Sequence, residues 1–230
     1  MDAIILAGGK GTRLQEVISS VPKPLAPING SPFLDLLIKQ LCNTKKINKI
    51  ILSVGYKKDL IIKRYKTLKN VIFSEENTPL GTGGAVKKSL EKASTENVLI
   101  LNGDTFQHFD LEQLFNFHIN KNADCTIVCR IENDTKRYGT ILLDSNNKIT
   151  SFKEKIHSKN SYINSGIYVL KKNIFQNFEK TIFSIEEDFF KEIIKTKNIF
   201  GFQSFEKFID IGTKESYFQA KAILHNLILD

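Results

Sequence analysis

The sequence predicts an α/β fold: a mostly parallel central sheet with flanking helices, joined to a small accessory β subdomain. Two observations carry this expectation. Through the first half, apolar runs of strand length alternate with segments of helical period, as in strands joined by crossover helices. Beyond about residue 120 the pattern changes to short strands separated by turn residues.

The elements follow in order. Asp2 to Ala7 reads as a buried strand. Pro32 to Cys42 places Phe33, Leu34, Leu37, Ile38 and Leu41 at helical spacing, with Pro32 suited to a first turn. Asn48 to Gly55 is strand, Lys58 to Tyr65 helix, Asn70 to Ser74 strand, Gly83 to Ala93 helix and Asn97 to Leu101 strand. In the second half, Thr126 to Val128, Tyr138 to Asp144, Lys148 to Lys153 and Tyr162 to Leu170 are strands, with Ser145-Asn146-Asn147 as a hairpin turn. Phe183 to Lys195 reads as a helix capped by Ser184. Ile199 to Phe205 and Phe208 to Ile211 are strand-like, and Lys214 to Leu229 forms a closing amphipathic helix. No linker, repeat or low-complexity tract divides the chain. One Rossmann-like domain over residues 1–230 is expected, with a nucleotide half at about 1–120 and an accessory half at about 121–230, which the resemblance given below makes the sugar-binding half.

Composition narrows the function. The 230 residues are 41% hydrophobic and 25% charged, ordinary for a globular protein. No apolar run is long enough to cross a bilayer, and the start shows no secretory signal, so a cytoplasmic location and no membrane partner are expected. The net charge of +8 favours anionic ligands. Its lysines are dispersed and no zinc-finger or RNA-binding motif accompanies them, which argues against nucleic acid. Cys42, Cys125 and Cys129 form no metal-binding pattern and read as structural thiols.

The chemistry-bearing residues fall at predicted strand ends, where ligands bind in open α/β sheets. The first strand runs into Ala7-Gly8-Gly9-Lys10-Gly11-Thr12-Arg13, followed by Pro22-Lys23-Pro24. Glycines let several backbone N–H groups approach one ligand, and a short helical turn after the loop would favour an anion. Arg13 and Lys23 add cations for phosphate. A Walker A loop needs Lys then Ser or Thr after its last glycine, whereas Lys10 precedes Gly11; a dinucleotide fingerprint needs a small residue where Leu14 stands. The loop is thus a phosphate cradle of a third kind.

The strand Val98–Leu101 ends in Asn102-Gly103-Asp104, and Asp210 lies in the strand before Gly212-Thr213. Each alone reads equally as a turn or capping aspartate; beside a phosphate loop, the two suit Mg²⁺, which takes one or two carboxylates plus phosphate oxygens and water. Leu80-Gly81-Thr82-Gly83-Gly84 would let a flat nucleobase lie against the backbone, or would simply be a glycine-rich helix entry. Glu154-Lys155 suits a phosphorylated, hydroxylated substrate.

Taken in order, these segments, together with Tyr138-Gly139, Phe152-Lys153-Glu154-Lys155, Asn164-Ser165-Gly166-Ile167-Tyr168 and Ile209-Asp210-Ile211-Gly212-Thr213, resemble the sugar-1-phosphate nucleotidylyltransferases over nearly the full length. Arg137-Tyr138-Gly139, Ile163 to Tyr168 and Phe183 to Phe189 are most similar to the D-glycero-D-manno-heptose 1-phosphate guanylyltransferases within that family. Ser165 and Lys214 depart from the pattern, which usually has glycine and proline there. The resemblance implies a nucleotide-diphospho-sugar transferase type of fold. It also implies a reaction in which a nucleoside triphosphate and a sugar 1-phosphate give a nucleotide sugar and pyrophosphate with Mg²⁺. By the resemblance, Arg13 holds the leaving phosphates, Lys23 the reacting centre, Asp104 and Asp210 the metal, and Lys155 the sugar phosphate. Tyr138, Gly139, Glu154 and Asn164 line the sugar; Ala7, Gly8, Gly9, Gly11, Thr12, Gly81 and Thr82 approach the nucleotide.

Glu76 lies five residues before Gly81 and can only accept hydrogen bonds, which matches the adjacent N1–H and N2 donors of guanine and favours GTP. Mannose 1-phosphate with GTP, a hexose 1-phosphate with UTP, dTTP or CTP, and a catalytically silent nucleotide-sugar-binding subunit are the alternatives. A homo-oligomer is compatible with the sequence.

Overall fold

The computed structural model describes residues 1–133, 135, 138–153 and 161–224, without the side chain at 153. Its strands are β1 (Asp2–Leu6), β2 (Pro27–Ile28), β3 (Ser31–Pro32), β4 (Lys49–Val54), β5 (Val71–Glu75), β6 (Asn97–Asn102), β7 (Thr105–Gln107), β8 (Cys125–Glu132), β9 (Thr140–Leu143), β10 (Ile149–Lys153), β11 (Ser161–Lys171), β12 (Ile199–Gln203) and β13 (Phe208–Asp210). The helices are α1 (Phe33–Asn43), α2 (Lys58–Tyr65), α3 (Gly81–Leu90), α4 (Leu111–Asn120), α5 (Lys191–Ile193) and α6 (Lys214–Leu224).

In the first half β5, β4, β1 and β6 lie side by side, all parallel. The accessory strands continue the same sheet. β11 runs antiparallel to β6 through Ile167–Lys171, and it also pairs with β8 and β9. β12 then adds parallel to β8. Alternation along the buried strands divides the core between two faces. Ala3, Ile5, Leu52 and Leu99 face α1, α2, α4 and α6, whereas Ile4, Ile51, Val98 and Ile100 face α3 and a cluster of phenylalanines. That cluster packs Phe175, Phe178, Phe183 and Phe189 edge-on or tilted, with neighbouring ring centroids as close as 4.3 Å.

The sequence expectations for β1, α1, β4, α2, β5, α3 and β6 hold to within a few residues. The 145–147 hairpin is present, with Asn147 at φ 65° and Asp144 Oδ1 accepting from the N–H groups of Asn146 and Lys148 at 2.8 and 2.9 Å. Four elements lie outside the expectations. Three are short strands, the two-residue β2 and β3 and the three-residue β7. The fourth is α4, whose Asp110 cap accepts from the N–H groups of Glu112 and Gln113 and whose Leu111, Leu114 and His118 face inward. The expected regular helix over Phe183–Lys195 is a correction: Ile185–Phe190 is a π-helical turn followed by the short α5. The Ser184 carbonyl accepts from both Asp188 and Phe189 N–H, each at 3.2 Å, so the turn is wider by one residue. Ser184 is the cap, its Oγ accepting from Glu187 N–H at 3.2 Å while its own N–H donates to Asp188 Oδ2 at 2.7 Å. The closing helix ends at Leu224 among the described residues.

All three cysteines are free thiols, with Cys125 and Cys129 on the phenylalanine-rich face; burial pushes the Cys129 thiol up to about 12. No helix among the described residues is long and apolar enough to cross a membrane.

His118 is buried between Thr126 and Asn97, with Nδ1 2.9 Å from Thr126 Oγ1 and Nε2 3.1 Å from Asn97 Oδ1. Burial, then Lys171, depresses its pKa to about 4, so the ring is neutral in the folded state. The unfolded chain binds this proton more readily. The stabilisation is therefore complete above the ordinary histidine pKa of about 6.5 and is lost as pH falls toward about 4. Wild-type stability measured by urea midpoint should fall over that window by up to about 3 kcal/mol, and the His118→Gln variant should show a flatter slope.

Candidate active site

Four parallel strands deliver their carboxyl ends to one place. β1 ends at Leu6 and passes into the glycine loop, β4 into Gly55-Tyr56, β5 into Glu76 and β6 into Gly103-Asp104. Between them lies a cavity of about 800 Å³. Gly8, Gly9, Gly11, Thr12, Arg13, Lys23, Glu76, Gly81, Thr82 and Asp104 all line it, as expected. Ala7 differs: it is fully buried and its N–H donates to the Ser53 carbonyl at 2.8 Å, tying the start of the loop to β4.

The expected helical turn after the loop is present as a 3-10 turn, Thr12–Leu14, closed by Leu14 N–H donating to the Gly11 carbonyl at 3.0 Å. Gly11 has φ +60°, and a Cβ there would sit 2.8 Å from the Lys23 Cβ. A glycine is thus needed both for the left-handed turn and to let Lys23 pass beneath the loop.

A second cavity, about 410 Å³, opens on the accessory side. Tyr138, Gly139, Asn164 and Asp210 line it, as expected. Glu154 and Lys155 lie outside the described residues. The two cavities share a wall made by Arg13, Lys23, Asn102, Asp104 and Gly212. Within that wall Lys23 Nζ donates to Asp104 Oδ2 at 2.6 Å, with the lysine side chain only 11% exposed. The cation is therefore held at the junction rather than left to solvent.

Asp104 and Asp210 are brought together by the chain itself. β13 pairs with β7 in a two-stranded ladder that sets Asp210 opposite Thr105, and Ile211 N–H donates to the Asp104 carbonyl at 3.0 Å. Asp210 Oδ2 accepts from the Tyr138 hydroxyl at 2.6 Å and its Oδ1 from Gly212 N–H. Among the described residues no group of three or more His, Cys, Asp or Glu side chains surrounds a point. Two hard oxygen ligands on one cavity fit Mg²⁺, which draws its remaining ligands from phosphate and water.

Glu76 faces the larger cavity, and its carboxylate accepts from Leu80 N–H at 3.1 Å and from the Ser53 hydroxyl at 3.3 Å. A carboxylate has about four acceptor positions, so these two bonds orient the group and leave acceptor capacity toward the cavity.

The glycine cluster, beyond lining the cavity at Gly81, also packs against the chain itself. Gly81 has φ +72°, and a Cβ there would lie 2.5 Å from the Phe183 carbonyl oxygen; Gly83 and Gly84 are likewise filled by Phe183 and Thr181. Gly83 N–H donates to the Phe183 carbonyl at 3.0 Å, and Phe183 N–H donates to the Leu80 carbonyl at 3.0 Å. The Thr82 hydroxyl accepts from Ile185 N–H at 3.0 Å. The cluster therefore lets the start of α3 dock on the segment leading into the π-helical turn.

That turn brings in side chains absent from the sequence expectations. Glu186, Glu187 and Lys191 line the second cavity beside Phe152. Two glutamates just after a capping serine read as ordinary first-turn charge on a helix, which conceals a site role. Tyr56 similarly lines the first cavity without a sequence signal.

A model of the family described as nucleotidyl transferase matches residues 2–226. The chain belongs to the nucleotidyl transferase family. Among its relatives, the D-glycero-alpha-D-manno-heptose 1-phosphate guanylyltransferase of Aneurinibacillus thermoaerophilus is 40% identical, covering 99% of this chain and all of that protein. The enzyme of the same name from Campylobacter jejuni is 41% identical, covering 95% of this chain and 97% of its own. The crystal structure of HddC from Yersinia pseudotuberculosis complexed with GMP-PN superposes with a TM-score of 0.86 at 35% identity, covering 97% of this chain and 99% of that one. The fold expected from the sequence is the fold of that crystal structure.

Gly81→Ala should destabilise the protein by about 1–3 kcal/mol, through a left-handed φ and a clash with a backbone carbonyl. Chemical denaturation of the variant tests this, and an unchanged midpoint would show that the α3 clasp is not tight.

Proposed function

We propose that the protein transfers a guanylyl group from GTP to D-glycero-α-D-manno-heptose 1-phosphate, giving GDP-heptose and pyrophosphate. The carrying observation is the pair of cavities that meet at Arg13, Lys23 and Asp104. One cavity is large enough for a nucleotide, the other takes a polar molecule of sugar size, and cations stand where their phosphates would meet. The relatives' names extend this to the guanine base and the heptose. The two halves of the chain act as one domain in this reading, because β6 and β11 join them within a single sheet.

The chemistry needs no covalent enzyme intermediate. A phosphate oxygen of the sugar 1-phosphate attacks the α-phosphorus; the new P–O bond forms as the bond to the bridging oxygen breaks, and pyrophosphate leaves with that electron pair. The protein positions and neutralises. Arg13, exposed on the 3-10 turn, holds the β- and γ-phosphates. Lys23, fixed at the junction, bridges oxygens around the reacting centre and exchanges its Asp104 partner for phosphate. Tyr138, Gly139 and Asn164 belong to the sugar side, with Glu154 and Lys155 assigned there by the family resemblance. Asp104 and Asp210 would hold Mg²⁺, which supplies charge neutralisation on the nucleotide phosphates. Glu76, oriented by Leu80 and Ser53, accepts from the guanine edge.

The test is pyrophosphate release with Mg²⁺, crossing GTP, ATP, UTP, CTP and dTTP with the heptose phosphate, mannose 1-phosphate and glucose 1-phosphate. Release is expected with GTP and the heptose phosphate; another productive pair would replace the substrate assignment, and none at all would leave a binding subunit. Lys23→Ala should keep nucleotide binding and lose turnover by about 100-fold or more, whereas an unchanged rate would remove Lys23 from the mechanism. Glu76→Gln should weaken GTP use more than UTP use, and equal losses would end its role in base reading.

A further inference from the structure

The second cavity holds a partly buried hydrogen-bond triad whose parts are unequal. Asn164 Oδ1 accepts from Gly166 N–H at 2.8 Å, which fixes the amide orientation. Its Nδ2 then donates to the Tyr168 hydroxyl at 2.7 Å and to Glu186 Oε1 at 2.6 Å. An amide nitrogen has two hydrogens, so these bonds use both. Tyr168 is fully buried and donates its own hydroxyl hydrogen to the same Glu186 oxygen at 3.0 Å. Burial and the neighbouring Glu186 charge raise the phenol well above its ordinary pKa, so it remains a donor.

Asn164 therefore has no N–H left for a sugar hydroxyl, although it lines the cavity. Two donors instead converge on one carboxylate oxygen and set the orientation of Glu186. A group held in this way is pre-organised, and the hydrogen bonds it makes to substrate lose little ordering entropy. Glu186 also lies on the π-helical turn, a distortion that often accompanies function. Glu187 and Lys191 stand on the same wall.

The location says which part of a sugar this wall meets. Arg13, Lys23 and Asp104 border both cavities, so the sugar's phosphate belongs there; Glu186, Glu187 and Lys191 border only the second cavity. The wall accordingly lies on the sugar's side of the junction, away from the nucleotide cavity. A manno-heptose differs from mannose only at the end farther from the anomeric phosphate, by one extra hydroxymethylene unit.

We propose that Glu186 is the specificity-determining acceptor for the outer hydroxyls of the sugar, and that Asn164 and Tyr168 are positioning residues that hold its carboxylate. This rests on the heptose guanylyltransferase reading above. Carboxylates bind sugar hydroxyls through charge-assisted hydrogen bonds, and a site built for a hydroxyl discriminates strongly against a substrate lacking it.

Glu186→Gln keeps an oxygen for Asn164 and Tyr168 while removing the charge, so the fold is preserved. With GTP it should lower kcat/KM for the heptose phosphate by about tenfold, mainly through KM, and change that for mannose 1-phosphate by less than about threefold. Tyr168→Phe should reproduce the same selective loss at smaller size, a pattern that general destabilisation would not give. Calorimetric binding of a non-hydrolysable GTP analogue without sugar should be unchanged in both variants. Equal losses on both sugars, or no change on either, would overturn the Glu186 assignment while leaving the reaction intact. A wild-type protein that turns over neither sugar phosphate with GTP would overturn the guanylyltransferase reading, and this assignment with it.

Discussion

The site depends on the antiparallel pairing of β11 with β6. The four parallel strands alone could place a nucleotide at their carboxyl ends, as open α/β sheets do. Pairing Ile167–Lys171 with Leu101–Asn97 adds the accessory strands directly beside β6. The loop that follows β6 then borders both halves, and Asn102 and Asp104 reach both cavities. The register shift in the β8–β11 ladder between Asn164 and Tyr168, with Gly166 at φ +75°, falls where β11 leaves β6 and turns toward β9. An irregularity at such a position redirects side chains, and here it brings Asn164 and Tyr168 to bear on one carboxylate.

Charge is handled differently in the two cavities. The junction carries Lys23 against Asp104, two groups that form an ion pair and are both suited to phosphate or its counter-ion. The outer wall carries Glu186, restrained by neutral donors. Both signs of charge stand at each place, Lys23 with Asp104 at the junction and Lys191 with Glu186 and Glu187 on the outer wall.

Much of this was legible in the sequence because it rests on local rules. Apolar runs bounded by turns marked β1, β4 and β6, and glycine and lysine punctuation marked the loop at 8–13. Less legible features depend on partners distant in sequence. The glycines at 81–84 look the same whether they admit a base or a backbone, and only the position of Phe183 decides it. The helix at Leu111–Asn120 carries a buried His118 where the apolar pattern wants a hydrophobe, which weakens its periodic signal. Glu186 reads as helix-end charge until the hydroxyl of Tyr168 and the amide of Asn164 are seen to meet it. The π-helical turn has no period of its own; Ser184 marks its start, but the packing of Phe183 and Phe189 against Phe175 and Phe178 accompanies its width.

The clasp between the start of α3 and the segment before the π-helical turn has a consequence for altering this protein. Leu80, Thr82 and Gly83 are bonded to Phe183 and Ile185, so the loop at the first cavity and the segment leading to the wall of the second are held together. A chimera that imports residues 76–84 from a relative with another nucleotide would set foreign side chains against the Phe183 carbonyl and shift Glu186 with them. The two segments are therefore coupled through their backbones, and both must be transplanted as a unit.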